Sequence, residues 1–71
     1  MELSEVIKLI RNELGITQEE LANEVHVSFS TVNRWENKKT VPNTMARVVL
    51  LEFFEKRKVS LYLTEELRKC K

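Results

Sequence analysis

The sequence predicts a small all-α domain of four to five helices, and three observations support that prediction. The 71 residues include one glycine and one proline, the two residue types that most often interrupt regular structure. Residues that cap helix starts recur along the chain, and apolar residues follow them at helical spacing. A hydrophobic content of 42% suits one globular domain with a thin core and argues against disorder.

The first predicted helix spans Glu5 to Leu14, with Ser4 as its N-cap. Gly15 follows, at a position where a helix end favours a left-handed residue. One apolar stripe at helical spacing faces the core: Leu3, Val6, Ile7, Ile10 and Leu14.

The second helix has a complete start signal. Thr17 and Glu20 have the spacing of a capping box, in which each side chain bonds the other's backbone N–H. Ile16 and Leu21 hold the two positions of a hydrophobic staple. The helix is predicted to run from Gln18 to Val25.

The third helix repeats this logic with Ser28 as N-cap and is predicted over Phe29 to Asn37. Only His26 and Val27 separate it from the second helix, so the angle between the two has little freedom. Its core residues are Val32 and Trp35, and a mostly polar face points away from them: Phe29, Ser30, Asn33 and Arg34. Two short helices with this division are typical of a device that places a helix in the major groove of DNA.

The fourth helix is predicted from Thr44 to Lys56, with Asn43 as N-cap after Pro42. Val48 and Leu51 lie across from its broad apolar face, so we expect something to cover them. That face contains Met45, Ala46, Val49, Leu50, Phe53 and Phe54.

The tail, residues 58–71, is separated from a domain over residues 1–57 and has three possible structures. Residues 59–64 alternate like a strand. A second possibility, which we favour, is a short helix capped by Ser60. The third is a later helix capped by Thr64, with Leu63, Leu67 and Cys70 on one side.

Charge and composition exclude several classes of protein. The net charge is +1, but residues 1–26 carry −4 and residues 27–71 carry +5, and binding depends on the local field. No apolar run approaches the roughly 20 residues of a membrane span, and the N-terminus lacks signal-peptide character. The single Cys70 is expected to be inert, no Cys/His group has metal-ligand spacing, and His26 has no nearby nucleophile. We therefore expect a cytoplasmic protein without enzymatic activity, cofactor, metal or evident small-molecule ligand.

Several stretches together resemble the Cro/repressor-type (XRE, lambda-repressor-like) helix-turn-helix family over Leu3 to Phe54. They are Thr17-Gln18-Glu19-Glu20-Leu21-Ala22, Val27-Ser28, Arg34-Trp35-Glu36-Asn37 and Pro42-Asn43. The resemblance implies a compact lambda-repressor-like domain with its helix-turn-helix in the second and third helices. It also implies a prokaryotic or phage transcriptional regulator that binds double-stranded DNA as a homodimer on a pseudo-palindromic operator.

The resemblance also assigns roles to individual residues. Base edges would be read by Phe29, Ser30, Asn33 and Arg34, and Arg11 would pair with Glu36 to link the first and third helices. Contacts to the DNA backbone would come from Gln18, Thr31, Asn37, Lys38 and Lys39.

Three residues depart from the family pattern. His26 and Lys38 stand where the family commonly has glycine, so a left-handed backbone there would be strained, unless Asn37 takes that role. Phe29 stands where a polar residue is more usual.

Each predicted contact has a simpler alternative. Arg34 could bond guanine, face water or pair with Glu36, and Asn33 could bond adenine or water. Phe29 could press on a thymine methyl group or fold back onto the second helix. The rival function is a protein-interaction module, antitoxin-type or the targeting domain of a longer protein. Residues expected at a dimer contact are Val48, Leu51, Val59, Leu61, Tyr62 and Leu63.

Overall fold

Five helices form the protein in the computed structural model, which describes residues 1–69. They are α1 (Leu3–Leu14), α2 (Gln18–Glu24), α3 (Phe29–Glu36), α4 (Thr44–Lys56) and α5 (Leu61–Lys69). No strand occurs within these residues, so the all-α prediction is confirmed. Cys70, whose inertness and helix face the sequence analysis predicted, lies outside the described residues.

The predicted caps form at the starts of α2, α3 and α4. The Thr17 hydroxyl accepts from the Glu20 N–H at 3.1 Å, and the Glu20 carboxylate accepts from the Thr17 N–H at 2.9 Å. Ser28 Oγ accepts from the Thr31 N–H at 3.2 Å, and Asn43 Oδ1 accepts from the Ala46 N–H at 2.9 Å. Local side-chain chemistry therefore sets these starts.

The predicted start of α1 is wrong. The helix begins at Leu3, two residues before Glu5, and Ser4 lies buried in its first turn instead of capping it. Leu3 is part of the core, and its burial stabilises the extra residues of helix although Glu2 provides no side-chain cap. The C-terminal ends of α2 and α3 differ less from the prediction, since each helix stops one residue before its predicted end.

One C-terminal motif ends each of the first four helices. A left-handed residue lies one position after α1 and two positions after α2, α3 and α4, and the N–H that follows it bonds back across the last turn. The left-handed residues are Gly15, His26, Lys38 and Lys58, with φ of 68°, 60°, 63° and 57°. The returning bonds are Ile16 to Arg11, Val27 to Ala22, Lys39 to Arg34 and Val59 to Phe54, at 2.9–3.1 Å.

Three of these left-handed positions carry a side chain with a Cβ. His26 and Lys38 therefore have the strained backbone that the sequence analysis raised, and Asn37, with φ of −96°, does not relieve it. Lys58 is a third such position that the sequence gave no reason to expect. Such a conformation costs a non-glycine residue roughly 1–2 kcal/mol.

The tail belongs to the same core as the rest of the chain. It forms the helix that follows Ser60, so the strand and the later helix beginning after Thr64 are both wrong. Val59, Leu63 and Leu67 are buried, and α5 packs against α1 and α4. Val59 and Leu63 are therefore not available for a dimer contact, which corrects their predicted role.

Four other apolar residues of the last two helices remain well exposed. Val48 in α4 and Leu61 and Tyr62 in α5 keep about half or more of their surface accessible, and Leu51 is partly buried against the core. Met45, predicted to be inward, is also exposed. The core proper takes its side chains from all five helices: Leu3, Val6, Ile7, Ile10, Leu21, Ala22, Val25, Val32, Trp35, Leu50, Phe53, Phe54, Val59, Leu63 and Leu67.

Replacing Lys58 with glycine should stabilise the protein. The change removes the left-handed strain, and the greater freedom of glycine in the unfolded chain offsets part of the gain. We expect a net increase in unfolding free energy of about 0.5–1 kcal/mol, and a similar one for His26→Gly. Chemical denaturation measures both changes.

Gly15→Ala is the matched control for this prediction. A Cβ at Gly15 would meet no atom within 4 Å, so only backbone strain acts, and the unfolding free energy should fall by about 1 kcal/mol. A decrease in stability for Lys58→Gly, with the expected decrease for Gly15→Ala, would contradict the explanation.

Candidate nucleic-acid interface

The outward face of α3 is the candidate site. Phe29, Ser30 and Arg34 are exposed along it, and Asn33 is half-buried. The opposite side is buried through Val32 and Trp35, as the sequence predicted. The short turn at His26 and Val27 sets α2 across the back of α3, so the exposed face projects from the motif.

A buried carboxylate fixes the position of α3. Glu36 is only 2% exposed, and its two oxygens accept three hydrogen bonds from other helices. Arg11 of α1 donates from Nε to Oε2 at 2.8 Å and from its terminal nitrogen to Oε1 at 3.0 Å. Gln18 of α2 donates to Oε1 at 2.9 Å. One side chain therefore joins α1, α2 and α3.

Arg11 is held by more than this ion pair. It also donates to the Ile16 carbonyl at 3.1 Å, which ties α1 to the entry of α2. The hydrogen bond with Glu36 raises the pKa of the Arg11 guanidinium; burial opposes that rise, and the charge of Glu36 adds to it. The net effect favours the charged form of the guanidinium, which pairs with the buried carboxylate.

The hydrogen bonds continue from Glu36 to the surface of α3. Because the Glu36 carboxylate can only accept, the Gln18 amide must present its NH₂ inward and its oxygen toward Asn33. The Asn33 amide donates to that oxygen at 3.1 Å, and its own oxygen accepts from the Asn37 amide at 3.0 Å. The chain of contacts runs from Arg11 to Asn37 through Glu36, Gln18 and Asn33.

This arrangement changes what Asn33 can do. Pairing with adenine through two bonds requires both its oxygen and its NH₂, and the oxygen, which already accepts from Asn37, has one further lone pair for such a bond. One amide hydrogen of Asn33 and one of Gln18 remain for a ligand. The sequence gave no local sign of the Gln18–Asn33 bond, since the two residues are 15 positions apart.

The side chains of Arg34 and Ser30 make no hydrogen bond within residues 1–69. Among residues 1–69, no hydrogen bond or ion pair holds the Arg34 guanidinium, and its alternative partner Glu36 is occupied by Arg11 and Gln18. Thr31 differs, because its hydroxyl bonds Ser28 Oγ at 2.9 Å beside the helix start.

The loop after α3 supplies exposed cations. Lys39 is exposed, and Lys38 lies 2.6 Å from the Glu2 carboxylate with both side chains well exposed. The hydrogen bond between them lowers the pKa of Glu2 and raises the pKa of Lys38, and their charges act in the same directions. An exposed pair of this kind is weak and salt-screened, so Glu2 does not hold Lys38 firmly.

Other kinds of site are not evident in the part of the chain that the structure describes. No cluster of three or more His, Cys, Asp or Glu side chains there could hold a metal ion. No helix in it is long and apolar enough to cross a membrane.

Two capped helices, a tight turn and an exposed polar helix face define a helix-turn-helix domain of the DNA-binding, transcription-regulator class. Comparison with known sequences agrees, because the profile of the helix-turn-helix family matches residues 7–57. The chain belongs to this helix-turn-helix family.

Two curated proteins are similar to the chain. An HTH-type transcriptional activator, BcrR of Enterococcus faecalis, is 33% identical over 67 residues, which cover 94% of this chain and 33% of the activator. A type II methyltransferase, M1.ScrFI of Lactococcus lactis subsp. cremoris, is 39% identical over 69 residues, covering 86% of this chain and 18% of the enzyme. The chain thus spans a third or less of either relative. No solved structure matches it significantly.

The Arg11–Glu36 pair should contribute more to stability than an exposed pair. Removing one partner leaves the other charge partly buried, so a double-mutant cycle with Arg11→Met and Glu36→Gln should give a coupling above the roughly 0–1 kcal/mol of surface pairs. The measurement is the unfolding free energy of the four proteins.

The exposed Lys38–Glu2 pair provides the matched cycle, with Lys38→Met and Glu2→Gln. Its coupling should be much the smaller of the two, and it should vanish in high salt. Equal couplings in the two cycles would contradict the structural role given to Glu36.

Proposed function

We propose that the chain is a sequence-specific duplex DNA-binding domain of a prokaryotic or phage transcriptional regulator. The observation that supports this most is the exposed face of α3, held outward by the Glu36 hydrogen bonds with Arg34 left unpaired. Inserted into the major groove, that face puts Phe29, Ser30, Asn33 and Arg34 at base edges.

Arg34 is the main reader of sequence in this proposal. Its guanidinium can donate two bonds to guanine O6 and N7, the commonest specific contact in the major groove. Because no intramolecular partner has to be given up, the side chain reaches the base without a compensating loss. Ser30 lies one turn before it on the same row and adds a second polar contact.

Contacts to the DNA backbone would surround this face. Lys38 and Lys39 follow α3, with Asn37 before them, and Gln18 and Thr31 lie at the starts of α2 and α3. The helix N-termini add partial positive charge toward phosphate. Such contacts position the domain and give a salt-dependent affinity without specifying sequence.

In this proposal the chain contributes to the regulation of transcription and does not catalyse a reaction. The activator and the methyltransferase resemble it only over a part of their own length. In a protein of either kind, a domain with this surface would select the DNA site on which the remaining parts act.

Arg34→Ala should weaken binding to the preferred sequence by about 1–3 kcal/mol and relax the choice of one base pair. Lys39→Ala should weaken all sequences alike and reduce the slope of log affinity against log salt by about one. Selection from random duplexes would first define the preferred sequence, and titration at several salt concentrations would measure both variants.

Lys69→Ala is the control, because α5 packs on α1 and α4, away from the outward face of α3. That variant should bind as the unaltered protein does. If Arg34→Ala lost the same affinity for specific and random duplexes, Arg34 would be a backbone contact and not a reader.

We further propose that the domain acts as a homodimer through α4 and the start of α5. Val48, Leu61 and Tyr62 are exposed there beside the partly buried Leu51, and a two-fold contact would cover them. Two copies of α3 about 34 Å apart would read half-sites one DNA turn apart.

Sedimentation at high micromolar concentration, with and without a palindromic duplex, tests the dimer. We expect association that Tyr62→Glu weakens, since the charge would enter the contact, and that Leu9→Glu, at an exposed apolar residue of α1, does not. A strict monomer that binds a single half-site one-to-one would rule the dimer out.

A further inference from the structure

Phe29 is the apolar exception on the outward face of α3. It is the first residue of the helix and is 52% exposed. The sequence left open that the ring folds back onto the second helix; about half of its surface stays exposed, and it is not part of the core. An exposed ring at this position leaves apolar surface in water, and its neighbours on the face are Ser30, Asn33 and Arg34.

The floor of the major groove offers few apolar partners. Its edges carry hydrogen-bond donors and acceptors, except for the methyl group on C5 of thymine, and a methylated cytosine carries the same group at the same carbon. The first residues of a recognition helix are those that reach base edges. A ring at the helix start can therefore bury a C5 methyl group where a polar side chain would gain nothing.

We infer that Phe29 recognises the C5-methyl group of a pyrimidine in the major groove. The inference rests on the proposed DNA-binding function and adds a chemical feature that the preferred site must contain. Phe29 and Arg34 are five residues apart, which is about 7.5 Å along the helix axis. With base pairs about 3.4 Å apart, that spacing covers at most about two base-pair steps, so the methyl group and the guanine that Arg34 reads lie within one half-site.

Removal of single methyl groups from the DNA tests the inference. In the sequence selected from random duplexes, each thymine is replaced in turn by deoxyuridine, which deletes only the C5 methyl group. We expect one position in each half-site at which the full chain loses about fourfold in affinity, the effect of one buried methyl group. Losses at every position, or at none, would overturn the inference.

Variants of Phe29 connect that position to the ring. In Phe29→Ala the ratio of thymine to deoxyuridine affinities at that position should fall to about one, and Phe29→Leu should keep part of it. Leu9→Ala, at an exposed apolar residue of α1, should keep the full ratio. The half-exposed Phe29 adds little to the core, so equal thermal stability is expected and checked. A methyl effect retained in Phe29→Ala would overturn the assignment.

A second pair of duplexes separates the two sources of the methyl group. Cytosine or 5-methylcytosine is placed at the sensitive position, with guanine opposite. Tighter binding to the methylated duplex would mean that the ring reads the methyl group on either pyrimidine, and equal binding would restrict it to thymine. Selection that enriches no sequence would instead refute the proposed function, and the inference would fall with it.

Discussion

The buried carboxylate of Glu36 is the constraint on which the rest of the structure depends. Moving a charge out of water costs several kcal/mol unless the surrounding groups compensate for lost hydration. Here three N–H groups do so, two from Arg11 in α1 and one from Gln18 in α2. The donors lie in α1 and α2 and the acceptor lies in α3. All three bonds can therefore form only when these helices are packed in one particular arrangement. A rotation of α3 would leave the carboxylate buried without partners.

The same bonds determine which residues of α3 are left to meet a ligand. The side-chain amides of Gln18 and Asn33 are hydrogen-bonded within the protein. They hold α3 in place, and each keeps one amide hydrogen for a contact to a ligand. Arg34, Ser30 and Phe29 make no contribution of that kind. A division of labour follows, in which inner polar residues set the position of the face and outer ones decide what it can bind.

Strained turns keep the helices short and close together. His26, Lys38 and Lys58 adopt left-handed backbone without being glycine, and each does so where the next N–H bonds back to the preceding helix. After His26 and Lys58 the following residue, Val27 or Val59, packs on the core, and its burial offsets part of the strain. At Lys38 the same geometry places the exposed side chains of Lys38 and Lys39 beside α3. This turn therefore contributes charge to the surface and not packing to the core.

Local chemistry in the sequence determined much of this protein. The starts of α2, α3 and α4 follow from Thr17, Ser28 and Asn43, because a capping side chain bonds a backbone N–H only a few residues away. The burial of Val32 and Trp35, and the exposure of the opposite face of α3, follow from helical spacing. The pairing of Arg11 with Glu36 was implied by the family resemblance and not by any local pattern.

Only the tertiary structure decided the rest, because the deciding partners are far apart in the chain. Leu3 draws α1 two residues further toward the N-terminus by joining the core. Val59 and Leu63 belong to a segment in which apolar and polar residues alternate as in a strand. They are buried because the chain forms α5 there and α5 packs on α1 and α4. Asn33 gives one of its two amide hydrogens to Gln18, 15 residues away. Helical spacing placed Phe29 on the outward face, and the packing of the helices leaves about half of its ring exposed there.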